Sequence, residues 1–414
     1  MNQKPQSQPR PQPRSQLQSK SRSQSVFFSG AIWGSAFRPF YLVGVIYGLG
    51  IMAVWFLVTL GVMNFPLAEY DMALWHGHEM VFGFSGAVVA GFVLTALPGW
   101  AGTTEIDRGR LALLVGLWFL GRLAIYSGGW MPPYMVMLLD CSLFLVAMIM
   151  VLPGLLRAEN KYFLLLIPIF LLLFAGNVVF HLAVMDGDMG RASWGIRLGL
   201  MGIVVKFVLA GGFLTTVFTQ NALKQKNLTA LRHNVPLEYV SAISLGLFVY
   251  GAMADVSGIL SAGLAFFAAS VQFVRFLRWR TLSMFDEPLI LVMHVSYLWF
   301  IAALILFGMA EFTPAISPNV WLHAFTVGAL SMMMLSLITR VALRHTGRPL
   351  IPAKAMIGAF AMMFLAAIIR VAVTLGLLPG DWLPISALIW WGSFLLYLIF
   401  HGVFLLQPSL PRKA

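Results

Sequence analysis

Twelve stretches of this chain are each apolar for close to the roughly 20 residues that a helix needs to cross a bilayer. They fall at about 40–63, 74–98, 110–127, 132–156, 161–184, 193–219, 236–254, 258–278, 288–310, 319–342, 354–377 and 383–406. In lipid every backbone N–H and C=O must be satisfied internally, so runs of this length become helices rather than open strands. The expectation is an all-α polytopic membrane protein of about twelve helices. Composition agrees, since only 10% of residues are charged, against about 25% in soluble domains. The weakest division is at 254–258, where Asp255 and Gly258 make a small break.

Residues 1–29 stand apart, rich in Gln, Ser, Pro and Arg and almost without apolar residues. They lack the apolar core of a secretory signal and read as a disordered basic cytoplasmic tail. Residues 30–414 read as a single transmembrane domain. Loops after even-numbered segments carry the cations, among them Arg108, Arg157, Lys226, Arg232, Arg275, Arg348 and Lys413. Loops after odd-numbered segments carry Glu69, Asp71, Asp186, Asp188, Asp255, Glu311 and Asp381, with Arg191 the one cation. The positive-inside rule then puts both termini in the cytoplasm. The net charge of +12 is thereby the footprint of topology and the lipid bilayer, not of a nucleic-acid partner.

The single cysteine, Cys141, excludes a disulfide framework or thiolate cluster within one chain. Protein metal ligands must come from histidine, methionine and carboxylates, which admits copper and haem iron. Trp75-His76-Gly77-His78-Glu79-Met80 places two imidazoles and a carboxylate at the mouth of the second segment. At about 100° per residue His76 and His78 point to opposite sides of a helix, while Glu79 and Met80 share the face of His76. His181 closes the fifth segment and His323 opens the tenth at the same outer level. Any one of these four alone would be read as bonding a loop carbonyl or a lipid headgroup. Four together, with a His-x-His among them, favour metal.

His294 and His401 lie toward the inner side, with ligand and interhelical hydrogen bond equally weighted; His233 and His345 fall in cytoplasmic loops. Arg122 and Asp140 lie at similar depth and read as a buried structural ion pair. Asn177 precedes His181 by four residues and could orient it. Lys206, near the middle of the sixth segment, has a haem propionate, a proton relay, a partner carboxylate or a water-filled crevice as open readings, and Arg370 is unassigned. Met332, Met333 and Met334 point three ways and read as core, and Gly44, Gly48 and Gly50 as close-packing positions. No P-loop, dinucleotide fingerprint or nucleophile motif occurs.

Several motifs resemble the NnrS family. They are Phe37-Arg38-Pro39-Phe40, the Trp75–Met80 stretch running on to Gly91-Phe92-Val93-Leu94-Thr95-Ala96, and Gly121-Arg122-Leu123-Ala124. Asn177 with His181, His294-Val295-Ser296-Tyr297-Leu298-Trp299, and His323 with the Arg340–Leu350 stretch continue the resemblance to the C-terminal end. It implies a bacterial inner-membrane protein carrying haem and copper, linked to nitric oxide metabolism, denitrification or resistance to nitrosative stress. One departure stands out. Before Phe218 the family carries Gly-Arg and a proline, where this chain has Gly212-Phe213-Leu214-Thr215-Thr216; the role of that arginine is absent or supplied elsewhere, with Lys206 one source. A looser likeness is to the catalytic subunit of haem-copper oxidases, which place haem-ligating histidines on the second and tenth of twelve helices. The adjacent histidine pair those enzymes use for copper in the seventh segment is missing here.

The resulting expectation is a membrane protein with haem and copper on its outer side, acting on nitric oxide or nitrosylated metal with an unknown electron donor. His76, His78, His323 and His294 are the haem candidates, and His76, His181 and Glu79 the metal candidates. His78 with His323 is slightly favoured for haem. A metal-dependent redox enzyme, a nitric oxide sensor without turnover and a secondary transporter are the rival classes; the last is disfavoured because the halves show no convincing repeat.

Overall fold

The computed structural model describes residues 30–67, 70–127, 129–159, 161–231 and 234–411. The basic tail 1–29, together with Glu69, Arg232, His233, Arg412 and Lys413, lies outside the described residues. Among the described residues twelve long helices run in chain order. They are α1 (Phe37–Thr59), α2 (Met72–Ala101), α3 (Arg108–Ile125), α4 (Pro133–Arg157), α5 (Phe163–Met185) and α6 (Met189–Gln225). Then come α7 (Val235–Met253), α8 (Gly258–Leu277), α9 (Pro288–Phe312), α10 (Asn319–His345), α11 (Lys354–Thr374) and α12 (Trp382–Leu406). Eleven are long and apolar enough to span a membrane; α3 differs in carrying Arg108, Arg110 and Arg122. No strand occurs among the described residues. The chain is an all-α, multi-pass membrane protein, and the break at 254–258 separates α7 from α8 as expected.

Helices adjacent in sequence pack on each other, and α12 returns to α1. Three helices form the interior. Buried residues make up 83, 72 and 78% of the apolar windows of α2, α6 and α10, against 28–61% for the other eight candidate spans. Those same three each contain a π-helical stretch, at Glu79–Ser85, Phe207–Gly211 and Ala324–Ser331. A π turn shifts the backbone from i→i+4 to i→i+5 bonding and is rare. In lipid its carbonyls need support from neighbouring helices. Each stretch receives it. Trp118 of α3 donates to the Gly83 carbonyl at 3.0 Å, Arg275 of α8 to Val208 at 3.3 Å, and Ser296 of α9 to Ala329 at 2.9 Å.

Two further contacts fix the frame. α5 and α6 cross backbone to backbone: a Cβ on Gly176 would lie 2.5 Å from the amide nitrogen of Gly199 and 2.6 Å from the carbonyl oxygen of Gly195. Gly195 and Gly199 are four apart, the small-xxx-small spacing that lets membrane helices touch. At the other end of the bundle, Arg38 of α1 donates to the carbonyls of Phe404, Leu405 and Gln407 and to Ser409. The Leu410 amide donates to the Thr346 carbonyl, and Arg348 lies over Phe404 with its guanidinium 3.8 Å from the ring centre. The Phe37–Phe40 and His345–Leu350 motifs therefore both serve to hold the C-terminal segment.

Candidate metal centre

His78 ends the first, α-helical part of α2, and Glu79 begins its π stretch. The change of helical pitch falls between them, and their side chains meet: His78 Nδ1 lies 2.8 Å from Glu79 Oε1. Glu79 thus joins the His78 side rather than the His76 face that regular α-helical spacing predicts. Its other oxygen accepts from Arg122 Nη1 at 2.6 Å and from the Tyr47 hydroxyl. Gly83 leaves room for this, because a Cβ there would come within 3.0 Å of both Glu79 and Arg122. The second amino group of Arg122 pairs with Asp140, so one guanidinium spans two carboxylates.

Asp140 and α5 complete the cluster. Asp140 Oδ2 lies 3.1 Å from His78 Nε2 and 2.8 Å from His181 Nε2, and accepts from Asn177 Nδ2 at 2.9 Å. Asn177 Oδ1 is 2.8 Å from His78 Nε2. All six residues are buried. Ligand atoms of His78, Asp140 and His181 lie within 4.8 Å of one another, a spacing that a metal ion could bridge.

Donor accounting makes the centre specific. Because His78 Nδ1 faces a carboxylate, it carries the hydrogen and donates. His78 Nε2 then faces two oxygens, from Asn177 and Asp140, and the amide orientation is fixed because Asn177 Nδ2 already donates to Asp140. Two acceptors cannot bond a bare ring nitrogen, so Nε2 must carry a proton or a metal ion. Charge leads to the same place. Glu79 and Asp140 against Arg122 leave one negative charge in a dry interior, which is costly unless neutralised. A carboxylate on Nδ1 with the metal on Nε2 is the arrangement that orients metal-bound histidines. The donor set of two imidazoles and a carboxylate suits copper, zinc or iron.

The profile of the NnrS protein family matches residues 31–409. The chain belongs to the NnrS family. Membership makes it a nitric oxide-related membrane protein. No curated protein sequence matches it significantly.

Other histidines of this NnrS protein fall elsewhere. His76 is on the far side of α2, its ring centre 4.5 Å from that of Trp55, and its Nδ1 is buried without a hydrogen-bond partner. His323 of α10 and Arg370 of α11 lie on this same side of α2. His323 Nδ1 donates to the Asn319 carbonyl at 2.9 Å, leaving Nε2 to accept from Arg370 Nη2 at 2.8 Å. The fold therefore sets His78 beside His181 and His76 toward His323, opposite to the pairing that the sequence slightly favoured. His294 sits between two hydroxyls, Thr219 at 2.8 Å on Nε2 and Thr281 at 3.0 Å on Nδ1. Thr219 already donates to the Thr215 carbonyl, so it accepts from Nε2–H and both nitrogens are satisfied. His401 stacks on Tyr397.

Lys206 lies 4.6 Å from the ring centre of Phe92. A guanidinium does stand beside Gly212, that of Arg275: a Cβ on Gly212 would come 2.3 Å from its Nη1. Arg275, counted above among the loop cations, is buried and holds Glu238 with two bonds and the Tyr297 hydroxyl with a third. The place of Asp140 beside the two histidines and Tyr47 as a partner of Glu79 were not foreseen either. One signal was available for Asp140, since two carboxylates and one arginine at the same depth do not balance.

Proposed function

We propose that this NnrS protein holds copper at His78, Asp140 and His181, and haem between His76 and His323. It acts on nitric oxide or nitrosylated metal at the periplasmic side of the bacterial inner membrane, with both termini in the cytoplasm. The observation that carries the reading is the buried His78 Nε2, which faces only oxygen acceptors beside a second imidazole. For haem the fit rests on the orphaned His76 Nδ1 and on His323, whose Nδ1 is tied to a carbonyl so that Nε2, which accepts from Arg370 in this structure, is the nitrogen that would turn to iron.

Copper and haem iron would supply nitric oxide binding and single-electron exchange, drawing on an electron donor. The protein's own residues do the rest. Glu79 fixes the ring and tautomer of His78, and Asn177 steers both His78 and Asp140. Arg122 offsets the carboxylates, keeping the centre close to neutral once a cation is bound. Arg370, which holds His323 Nε2 and Thr374 here, is the cation that would turn to a haem propionate, and Trp55 packs against the His76 ring.

The test is metal and haem analysis of the purified protein with absorption spectra, oxidised, reduced and with nitric oxide. The expected result is haem and copper in fixed ratio and a nitric oxide-induced shift of the haem bands; protein without either metal would refute the reading. Consumption of nitric oxide with a reductant would mark an enzyme, and a spectral shift without consumption a sensor.

A further inference from the structure

A cavity of about 490 Å³ lies between the C-terminal ends of α2 and α4, at the end of the bundle that bears the basic loops. His76 and His78 sit at the opposite end of α2, so nothing said of the metal centre bears on it. Its origin is legible in two residues. Pro98 of α2 and Pro153 of α4 both line it. A proline within a helix gives no N–H to the carbonyl four residues back and its ring crowds that carbonyl, so the two helices do not close on each other here. The loop after α2 bridges the gap instead and rests on α4, where a Cβ on Gly154 would come 2.7 Å from Thr103 Cγ2.

The cavity is amphipathic. Leu94, Leu97, Met150 and Val151 form its apolar wall, and Glu105, Arg110 and Arg157 its charged rim. Asp107 engages the Nε of Arg110 at 3.2 Å, which leaves the terminal amino groups of that guanidinium to other partners. With Asp107 counted, two cations stand against two carboxylates. A ligand of no net charge but with separated charges matches that balance. Next to the mouth, α4 exposes Ile149 and Leu156, 57% and 56% accessible, an apolar surface of the kind that faces lipid chains. The volume is within the range of about 300–1,000 Å³ typical of small-ligand sites.

We propose that this cavity binds one phospholipid through a zwitterionic aminoethyl-phosphate headgroup. The phosphodiester lies between Arg110 and Arg157, the ammonium meets Glu105, and the first chain carbons lie against Leu97 and Met150. Planar guanidinium groups are suited to phosphate oxygens. Free phosphate shares the anion chemistry but offers nothing to the apolar wall or to Glu105.

Full-length protein, stripped of lipid in detergent, is to be titrated separately with phosphatidylethanolamine, phosphatidylglycerol and inorganic phosphate. Native mass spectrometry counts adducts and thermal melting reads protection. One phosphatidylethanolamine should bind at least tenfold more tightly than phosphatidylglycerol, with no protection by phosphate. The double variant Arg110→Gln/Arg157→Gln should lose at least tenfold in that affinity, and Arg108→Gln, a like charge change outside the lining, should lose little. Glu105→Gln, at an exposed rim position, should remove the preference between the two lipids, and it keeps the proposal testable should the double variant fail to fold. Unchanged binding by the double variant, a preference that survives Glu105→Gln, or equal protection by phosphate or phosphatidylglycerol would overturn the proposal.

Discussion

Arg122 of α3 donates from Nη1 to Oε2 of Glu79 in α2 across 2.6 Å, with both side chains shut away from solvent. Its Nη2 faces Asp140, so the guanidinium is shared, and removing it strands two carboxylates rather than one.

That sharing sets the outcome of a charge-removal series. Arg122→Leu should destabilise the detergent-solubilised protein by about 3–5 kcal/mol, the cost of breaking a buried pair. Adding Asp140→Asn should recover only part of the loss, since Glu79 still lacks its guanidinium, and Glu79→Gln as a third change should recover more. Melting midpoints of the three variants decide it; a triple no better than Arg122→Leu alone would show that the carboxylates do not depend on this arginine.

The two histidines of the Trp75–Met80 stretch should fail differently. His78→Ala and His181→Ala are expected to abolish copper while most haem is retained. His76→Ala and His323→Ala should do the reverse. Haem and copper per folded protein are the readout. If His76→Ala and His78→Ala lose both metals together, the two sides of α2 serve one centre.

Gly176 offers a test of how the centre is held. In Gly176→Ala the new methyl meets backbone atoms of Gly195 and Gly199, which cannot turn aside as a side chain would. The helices must part, at a cost of about 1–3 kcal/mol. Asn177 and His181 ride on the same helix, so copper occupancy should fall along with the melting midpoint. A stable variant with full copper would mean that the α5–α6 crossing does not position the ligands.

Arg38→Gln should weaken the clamp on the C-terminal segment, by about 1.5–3 kcal/mol for loss of a charged hydrogen-bond donor. Proteolysis from the C-terminus, followed by mass spectrometry, should advance past Gln407 in the variant and stop short of it in the parent. Haem and copper contents should be unchanged, because the clamp and the metal centre lie at opposite ends of the bundle.

The twelve helices and their breaks were legible because apolar length is a strong signal in a chain that must satisfy its backbone without water. Arg122 and Asp140 could be placed at one depth for the same reason. The face of Glu79 could not, because 100° per residue holds only for a regular α-helix and the π stretch starts at that residue. Nor could Arg275: counted as a loop cation near the end of its segment, it is drawn inward by Glu238, Tyr297 and the Val208 carbonyl, partners far away in sequence. The pairing of His78 with His181 rather than His323 depends on which helices flank α2, and hydropathy does not encode that.

The clamp on Arg38 has a consequence for assembly. Its acceptors lie 366–371 residues downstream, at and just beyond the end of α12, the eleventh helix further on. While the ribosome is still delivering the later helices to the membrane, the arginine at the start of the first helix has no such partner. The closure of α1 against α12 is therefore a late step, which cannot be completed until residues 404–409 have joined the bundle.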